Sequence, residues 1–189
     1  PIKTVNLLSW EQDAKRRDFT INAIYYNIAT KKICDVYGGV TDLKNKVLKC
    51  VETPEFVFKN DGLRLLRLVR FACEFDFGID NETYEMAKKY AKNLSKITGE
   101  RKKSEIQKIL YANSKYPSAN LSKGLALLFE LNLFKYIIKL NDINISFSDI
   151  DFSPVYKLKG DNRFICFIIC IYNFARNYGY NAVKFSLVL

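Results

Sequence analysis

The chain has 189 residues, of which 49% are hydrophobic and 26% charged, and it carries a formal net charge of +10 at pH 7. This composition supports a packed core in one domain or two small ones and excludes a largely disordered chain. The chain contains no histidine, which excludes a histidine general base, a Ser-His-Asp triad and every His-containing metal site.

The excess of positive charge favours a polyanionic partner, with nucleic acid first and an anionic membrane surface second. Five cysteines are present, without a Cys-x-x-Cys pair and mostly among apolar neighbours. Such a pattern is typical of reduced thiols and predicts a cytoplasmic protein without disulfides. No apolar run reaches about 18 residues, so we expect no helix that spans a membrane.

The first dense stretch of charge lies at residues 15–18, where Arg17 and Asp18 follow Lys15 and Arg16. Apolar residues between 19 and 26 recur at helical spacing, which predicts a helix there. The stretch has two interpretations. It can be a helix start with internal salt bridges, or it can bind a triphosphate and a ribose, with Arg17 offsetting phosphate charge and Asp18 accepting from a hydroxyl or holding an arginine. The spacing alone favours the structural interpretation.

Two short strands are predicted at residues 33–37 and 47–51 from their β-branched and aromatic content. Between them, the Gly38-Gly39 pair predicts a sharp turn and residues 41–44 a short helical turn. Two strands are too few for a complete sheet. They suggest the end of a mixed α/β domain.

The most informative stretch is 60–71, in which Asp61, Arg64, Arg67 and Arg70 recur every three residues with apolar residues between them. On a helix these four side chains occupy one side while the leucines occupy another. Because Asp61 lies one turn before Arg64, we expect the two to pair. The arginines can be the polar face of a helix, or their planar guanidiniums can bind phosphates and base edges. This stretch alone leaves both interpretations open.

The rest of the chain is predicted to be almost entirely helical, with helices over 62–75, 81–95, 100–112 and 162–178 and one or two helices over 120–138. Residues 113–118 and 141–161 are predicted to be connectors. Asp80 or Asn81 is a plausible cap for the helix that begins near 81. Six lysines are expected on solvated helix faces, where together they can contribute salt-dependent affinity for RNA: Lys88, Lys89, Lys92, Lys96, Lys102 and Lys103.

The order of these motifs resembles that of the class II nucleotidyltransferases, which comprise the bacterial-type tRNA nucleotidyltransferases (CCA-adding enzymes) and the bacterial poly(A) polymerases. Residues 16–23 resemble the second motif of the family, 35–43 the third, 61–71 the fourth and 98–106 the fifth. Four motifs in the right order are far more specific than any one of them.

The resemblance implies an α+β, mostly α fold. Residues 1–55 would form the C-terminal part of a nucleotidyltransferase palm, residues 56–112 a helical neck and residues 113–189 part of a helical body.

The resemblance also implies residue roles. Arg17 and Asp18 match positions that contact the ribose and phosphates of the incoming nucleotide. Asp61 and Arg64 match the pair that hydrogen-bonds the base edge and so selects C and A over U and G, and Arg67 matches a further nucleotide-contacting arginine. Supporting roles are expected at Arg16, Asn22, Asn60, Arg70, Glu100 and Arg101.

The chain departs from the family pattern in three respects. Asn60 stands where the family often has Glu, and Gly62 stands where many members have Pro. The first motif of the family carries a Gly-Gly turn and two metal-binding aspartates, and nothing before Arg16 matches it. We therefore expect Mg²⁺ ligands outside this chain, no metal site within it, and no activity from these 189 residues alone.

The implied activity is transfer of CMP and AMP from CTP and ATP to the 3′ end of tRNA without a nucleic-acid template. A first alternative is a poly(A) polymerase, or an A-adding or CC-adding specialist, of the same family. A second is a non-catalytic RNA-binding protein derived from a decayed palm. No membrane partner is expected, and the sequence leaves the oligomeric state open.

Overall fold

The computed structural model describes residues 9–139, 145–177 and 186–187, with helices and short strands throughout. The described helices are α1 (Trp10–Lys15), α2 (Gly39–Lys44), α3 (Pro54–Asn60), α4 (Leu63–Phe75), α5 (Asn81–Lys89), α6 (Gly99–Leu110), α7 (Ala112–Lys115), α8 (Leu121–Glu130), α9 (Phe134–Ile137), α10 (Ser153–Lys157) and α11 (Asp161–Asn177). The described strands are β1 (Tyr25–Asn27), β2 (Lys32–Cys34), β3 (Val47–Leu48), β4 (Gly78–Ile79), β5 (Ile138–Lys139) and β6 (Ser186–Leu187). Short 3₁₀ segments occupy Thr20–Asn22, Ala91–Lys96 and Phe147–Asp149.

The strands of the described part form three two-stranded sheets. Strands β1 and β2 pair as an antiparallel hairpin, β3 pairs in parallel with β4, and β5 pairs antiparallel with β6. Helices dominate around them, so the expectation of an α+β, mostly α fold is confirmed. No helix in the described ranges is long and apolar enough to cross a bilayer. The domain boundaries at residues 55 and 112 stay predictions.

Helix α4 is the centre of the main hydrophobic core. It packs against α6 and α8. Leu65, Leu68 and Ala72, the apolar face that the sequence predicts, are all fully buried. Each buried leucine side chain contributes on the order of 1.5–3 kcal/mol of transfer free energy. The polar side of the same helix is therefore held in a defined orientation, and this side carries the arginines.

The helix predicted through residues 19–26 is wrong. Helix α1 ends before it, and the chain continues as a 3₁₀ turn and strand β1. Phe19 instead forms an antiparallel bridge with Cys50. The N–H of Thr20 donates to the carbonyl of Lys49 at 2.9 Å, and the N–H of Val51 donates to the carbonyl of Asp18 at 3.1 Å. This backbone pairing with a segment about thirty residues away overrides the local spacing, and the two tyrosines that follow suit a strand.

Most other predicted elements are present with shifted ends. Strands 33–37 and 47–51 shorten to β2 and β3, helix 81–95 divides into α5 and a 3₁₀ segment, and residues 120–138 form the two helices α8 and α9. The predicted connector 113–118 is helical in its first part, because α7 extends to Lys115. The connector 141–161 contains a 3₁₀ turn and α10, although residues 141–144 lie outside the described part, as does residue 178 of the last predicted helix. Asp80 caps α5 as expected, because its side chain accepts from the Thr83 N–H at 3.1 Å.

One of the six lysines is not on a solvated face. Lys102 is fully buried, and its Nζ donates to the carbonyl of Tyr136 at 3.0 Å. The long side chain crosses from α6 to α9 and satisfies a backbone carbonyl at the end of that short helix. The other five lysines are exposed, in agreement with the prediction.

Gly62 occupies a place where a side chain has no room. A Cβ at this position would lie 2.4 Å from the carbonyl oxygen of Asn93 and 3.1 Å from the Leu94 nitrogen. Both atoms belong to the backbone of the 3₁₀ segment Ala91–Lys96, so neither can rotate away. The same contact would exclude proline at this position of the chain, since proline also carries a Cβ.

We expect Gly62→Ala to reduce the free energy of unfolding by about 1–3 kcal/mol, the usual cost of overpacking. Denaturant unfolding would measure the change. Gly78→Ala is the matched control, because a Cβ there would meet only the Lys46 carbonyl at an ordinary 3.8 Å. Equal losses for the two variants would contradict the packing argument.

Candidate functional site

An open cavity of about 260 Å³ lies between the loop that follows α1, the first two turns of α4 and the first turn of α6. The described residues that line it are Arg16, Arg17, Asp18, Asp61, Leu63, Arg64, Arg67 and Arg101. Five arginines and two aspartates leave the lining with a net charge of +3. The structure thus brings together all five residues predicted to contact nucleotide and two of the six supporting residues.

Asp18 and Arg67 form an ion pair across the cavity floor. Arg67 Nε donates to Asp18 Oδ2 at 2.6 Å, and the aspartate is only 4% exposed. Asp18 Oδ1 also accepts from the Phe19 N–H and from Asn22 Nδ2, each at 3.0 Å. Burial would raise the pKa of Asp18, but the Arg67 guanidinium and these hydrogen bonds together hold that pKa below its ordinary value. The Asn22 amide therefore helps to orient Asp18, and its supporting role in nucleotide binding stays a prediction.

Arg64 makes a second link between α4 and the loop after α1. Its Nη2 donates to the carbonyl of Arg16 at 2.6 Å. Arg64 and Arg67 therefore reach from one helix to consecutive parts of the 16–18 segment. The loop and the helix are thus joined through one neutral acceptor, the Arg16 carbonyl, and one charged acceptor, the Asp18 carboxylate.

Arg17 is held at the edge of the cavity by residues that sequence inspection did not select as part of the site. Its Nη2 donates to Asp13 Oδ2 at 2.7 Å, and its Nε donates to the Tyr25 hydroxyl at 3.3 Å. The Tyr25 hydroxyl also donates to Asp13, and Arg16 Nη2 donates to the other Asp13 oxygen at 3.1 Å. Hydrogen bonds from Tyr25, Arg17 and Arg16 lower the pKa of Asp13, and its carboxylate in turn raises the pKa of Arg17. The i, i+4 spacing of Asp13 and Arg17 was the signal available in the sequence.

Asp61 pairs with Arg101 instead of Arg64, so that part of the sequence prediction is wrong. Arg101 Nη2 donates to Asp61 Oδ2 at 2.9 Å, and the Leu63 N–H donates to Asp61 Oδ1 at 3.0 Å. The backbone explains the difference. Asp61 has φ −146° and ψ 106°, so it precedes α4 in extended geometry, and its side chain turns back to the Leu63 N–H instead of lying along the helix.

Arg70 lies away from the cavity. Its Nε donates to Glu105 Oε2 at 2.7 Å and its Nη1 to Glu74 Oε2 at 3.0 Å. Both glutamates are buried, at 3% and 5% exposure. Burial would lower the pKa of Arg70, but the two carboxylates raise it. Arg70 therefore joins α4 to α6, and any support that it gives to the cavity is indirect.

The third motif, residues 35–43, contacts the residues that follow the loop after α1. Asp35 caps α2, since its two carboxylate oxygens accept from the N–H groups of Gly39 and Val40 at 2.9 and 2.8 Å. Gly39 lies so close to the 3₁₀ turn that a Cβ would come within 2.2 Å of the Thr20 carbonyl oxygen. The Thr20 hydroxyl donates to Asp42 Oδ2 at 2.7 Å. The motif thus fixes the residues that follow Asp18.

Two further predicted supporting residues, Asn60 and Glu100, lie near the cavity in the chain but outside its lining. Asn60 is exposed at the end of α3, and Glu100 is exposed in the first turn of α6. Within the described residues, no cluster of three or more Cys, Asp or Glu side chains could hold a metal ion. The cavity residues do not fit a Mg²⁺ site. They do suit an anionic ligand with a polar planar edge, because guanidiniums bind phosphates and Asp61 offers a carboxylate acceptor.

Replacement of Asp18 by Asn tests the cavity floor. We expect Asp18→Asn to reduce the free energy of unfolding at pH 7 by about 3 kcal/mol, because Arg67 loses its charged partner. Since the folded-state pKa of Asp18 is lowered, the wild-type pair stabilises the fold above the ordinary aspartate pKa of about 3.9. That contribution is lost as the pH falls through the folded-state pKa. The free energy of unfolding, measured between pH 2 and 7, should therefore change less with pH in the acid range for the variant than for the wild-type protein.

Asp76→Asn is the control for this experiment. Asp76 pairs with Lys123 at 3.0 Å but is about half exposed, so its loss should cost less than about 1 kcal/mol. Equal losses of unfolding free energy in the two variants, or an unchanged pH dependence of stability in the acid range for Asp18→Asn, would contradict the structural role of Asp18.

Two family models match the chain. The Poly A polymerase head domain matches residues 2–49, and the model described as the probable RNA and SrmB-binding site of polymerase A matches residues 76–142. The first match contains the loop after α1 and the third motif. The second contains the first turn of α6, from which Arg101 extends.

Among curated proteins, the CCA-adding enzyme of Streptococcus uberis is 39% identical over 129 residues, which are 68% of this chain and 30% of that enzyme. Poly(A) polymerase I of Escherichia coli O6:H1 is 40% identical over 113 residues, which are 60% of this chain and 24% of that protein. The chain therefore spans about a third or less of these relatives.

Among solved structures, the CCA-adding enzyme of Bacillus stearothermophilus in complex with CTP matches with a TM-score of 0.63 and 34% identity, over 69% of this chain and 31% of that one. Sequence motifs, family models and fold agree: the chain belongs to the family of bacterial-type tRNA nucleotidyltransferases and poly(A) polymerases.

Proposed function

We propose that the full-length protein that carries this chain adds CMP and AMP, from CTP and ATP, to the 3′ end of tRNA without a nucleic-acid template. The observation that carries this proposal is the common cavity of Arg17, Asp18, Asp61, Arg64 and Arg67. These residues come from two separate motifs, and nothing in the local structure of either motif requires them to meet. Relatives named as CCA-adding enzymes were solved with CTP and with ATP.

The charge of the cavity supports a triphosphate ligand. Arg16 and Arg17 are 65% and 49% exposed, so their guanidiniums can meet a ligand that enters from solvent. Asp13 holds both side chains at the rim and reduces the entropy that ordering them on a ligand would cost. In the proposed complex these two arginines offset the phosphate charge, and Arg67, fixed by Asp18, lines the floor beneath the sugar.

Asp61 and Arg64 support selection of the base. Cytosine and adenine each present an amino donor beside a ring-nitrogen acceptor. Uracil presents a carbonyl beside an N–H, and guanine does so along the corresponding edge. A carboxylate beside a guanidinium complements the first pattern and opposes the second, because a carboxylate facing a carbonyl leaves both acceptors unpaired. In the proposal the two side chains thus serve in place of a template base.

The described residues provide no set of ligands for a metal ion, so no step through Mg²⁺ is derived from this chain. The side chains of this cavity bind and orient the nucleotide. The inactivity of the 189 residues alone stays a prediction. A cytoplasmic location is also proposed, and it is supported by the tRNA substrate and by the free state of the five cysteines.

A second candidate within the family is poly(A) polymerase, favoured by the 40% identity to the Escherichia coli enzyme. The cavity chemistry suits this activity as well, since adenine presents the same donor–acceptor pattern as cytosine. The two candidates differ in whether CTP is used and in where the addition stops.

Nucleotide incorporation by the full-length protein separates them. The substrates are tRNA transcripts that end before CCA, after C and after CC, each with Mg²⁺ and with CTP, ATP or UTP alone or with CTP and ATP together. Addition of C, C and A in order, with a stop at CCA, is the expected result. A single A indicates an A-adding specialist, addition of C alone a CC-adding specialist and a long adenylate tail a poly(A) polymerase. Binding of tRNA without any incorporation would overturn the enzymatic proposal in favour of an RNA-binding protein.

Arg64→Ala tests the nucleotide role within that assay. We expect kcat/KM for CTP and ATP to fall by about 10- to 100-fold, which corresponds to one charged hydrogen bond of about 1.5–3 kcal/mol. Affinity for tRNA, measured by filter binding, should stay nearly constant. Arg176→Ala, at an exposed position in α11, is the control. The assignment would be contradicted if Arg64→Ala lost its affinity for tRNA while its kcat/KM for CTP and ATP stayed unchanged.

A further inference from the structure

The carboxylate of Asp61 has few constraints of its own. The residue stands between α3 and α4 in extended geometry, and its side chain is about one-third exposed. One oxygen accepts from the Leu63 N–H, which is a local bond at the start of α4. A single bond to one oxygen leaves the carboxylate free to turn about its terminal torsion, which is a soft one.

Arg101 supplies the second constraint and comes from a different helix. Its Nη2 donates to the other oxygen, Oδ2, at 2.9 Å. With both oxygens bonded, the plane of the carboxylate is fixed relative to α4. Each oxygen still has a lone pair available, so the pinned carboxylate can accept from a ligand.

The part of α6 that carries Arg101 is itself held in place. Glu105, one turn further along α6, accepts from Arg70 of α4 at 2.7 Å with both side chains largely buried. This pair joins α4 to α6 close to Arg101. The Arg101 guanidinium therefore extends toward Asp61 from a helix that is fixed relative to α4. A surface ion pair contributes little to stability, but from this position it can still orient the carboxylate.

We propose that Arg101 is a positioning residue for base selection, which holds the Asp61 carboxylate so that a base with an exocyclic amino group is accepted and a base with a carbonyl in its place is rejected. This inference rests on the proposed function. A carboxylate that cannot turn away keeps its full repulsion toward a carbonyl oxygen. A carboxylate that can turn away loses part of that discrimination.

The test uses Arg101→Met in the full-length protein, because methionine keeps an unbranched stem without the charge. Dissociation constants for CTP and UTP are measured by calorimetry. We expect the ratio of the CTP affinity to the UTP affinity to fall by about 10-fold, through tighter UTP binding, weaker CTP binding or both. The melting temperature should stay unchanged. Lys103→Met is the matched control, since it removes one positive charge from the exposed face of the same helix.

A double-variant cycle separates positioning from direct contact. If Arg101 acts through Asp61, then Arg101→Met should change neither affinity further once Asp61→Ala is present. An equal loss of CTP affinity with and without Asp61 would show that Arg101 binds the ligand itself and would overturn the inference. An unchanged CTP/UTP ratio in Arg101→Met would also overturn it. A wild-type protein that does not distinguish CTP from UTP would instead contradict the proposed function, and with it this inference.

Discussion

The cavity depends on the ion pair between Arg67 of α4 and the buried Asp18 of the loop after α1. A carboxylate with so little exposure needs a charged partner and further hydrogen bonds, and it has both. The pair therefore draws the loop onto the helix. Arg64 reinforces the junction through the Arg16 carbonyl. Helix α4 is fixed in the core on its other side, so the position of the loop follows from the position of the helix.

Helical geometry assigns different roles to arginines that look alike in the sequence. Each three-residue step along α4 turns the side chain by about 60°, so Arg70 points about 120° away from Arg64. Arg64 and Arg67 face the loop after α1, whereas Arg70 faces α6 and pairs with Glu105 and Glu74. One row of arginines thus builds a cavity wall at one end and a helix–helix contact at the other.

The sequence predicted the long helices, the buried face of α4 and the five cavity residues, because period and motif order depend on local spacing and on family resemblance. It did not predict contacts between distant segments. The bridge of Phe19 to Cys50 replaced an expected helix, and Arg101 took the place of Arg64 as partner of Asp61. Lys102 was assigned to the surface by its residue type, yet it is buried because a carbonyl in α9 accepts from it. In each of these three cases the partner lies about 30 to 40 residues away in the sequence, and no local pattern encodes the contact.

We propose that this cavity binds the incoming nucleotide. The most direct measurement is a crystal structure of the full-length protein with a non-hydrolysable CTP analogue. We expect the amino edge of cytosine to lie within hydrogen-bonding distance of Asp61 and Arg64, with the phosphates toward Arg17. A nucleotide bound elsewhere, or bound in the cavity with its base turned away from Asp61, would contradict it.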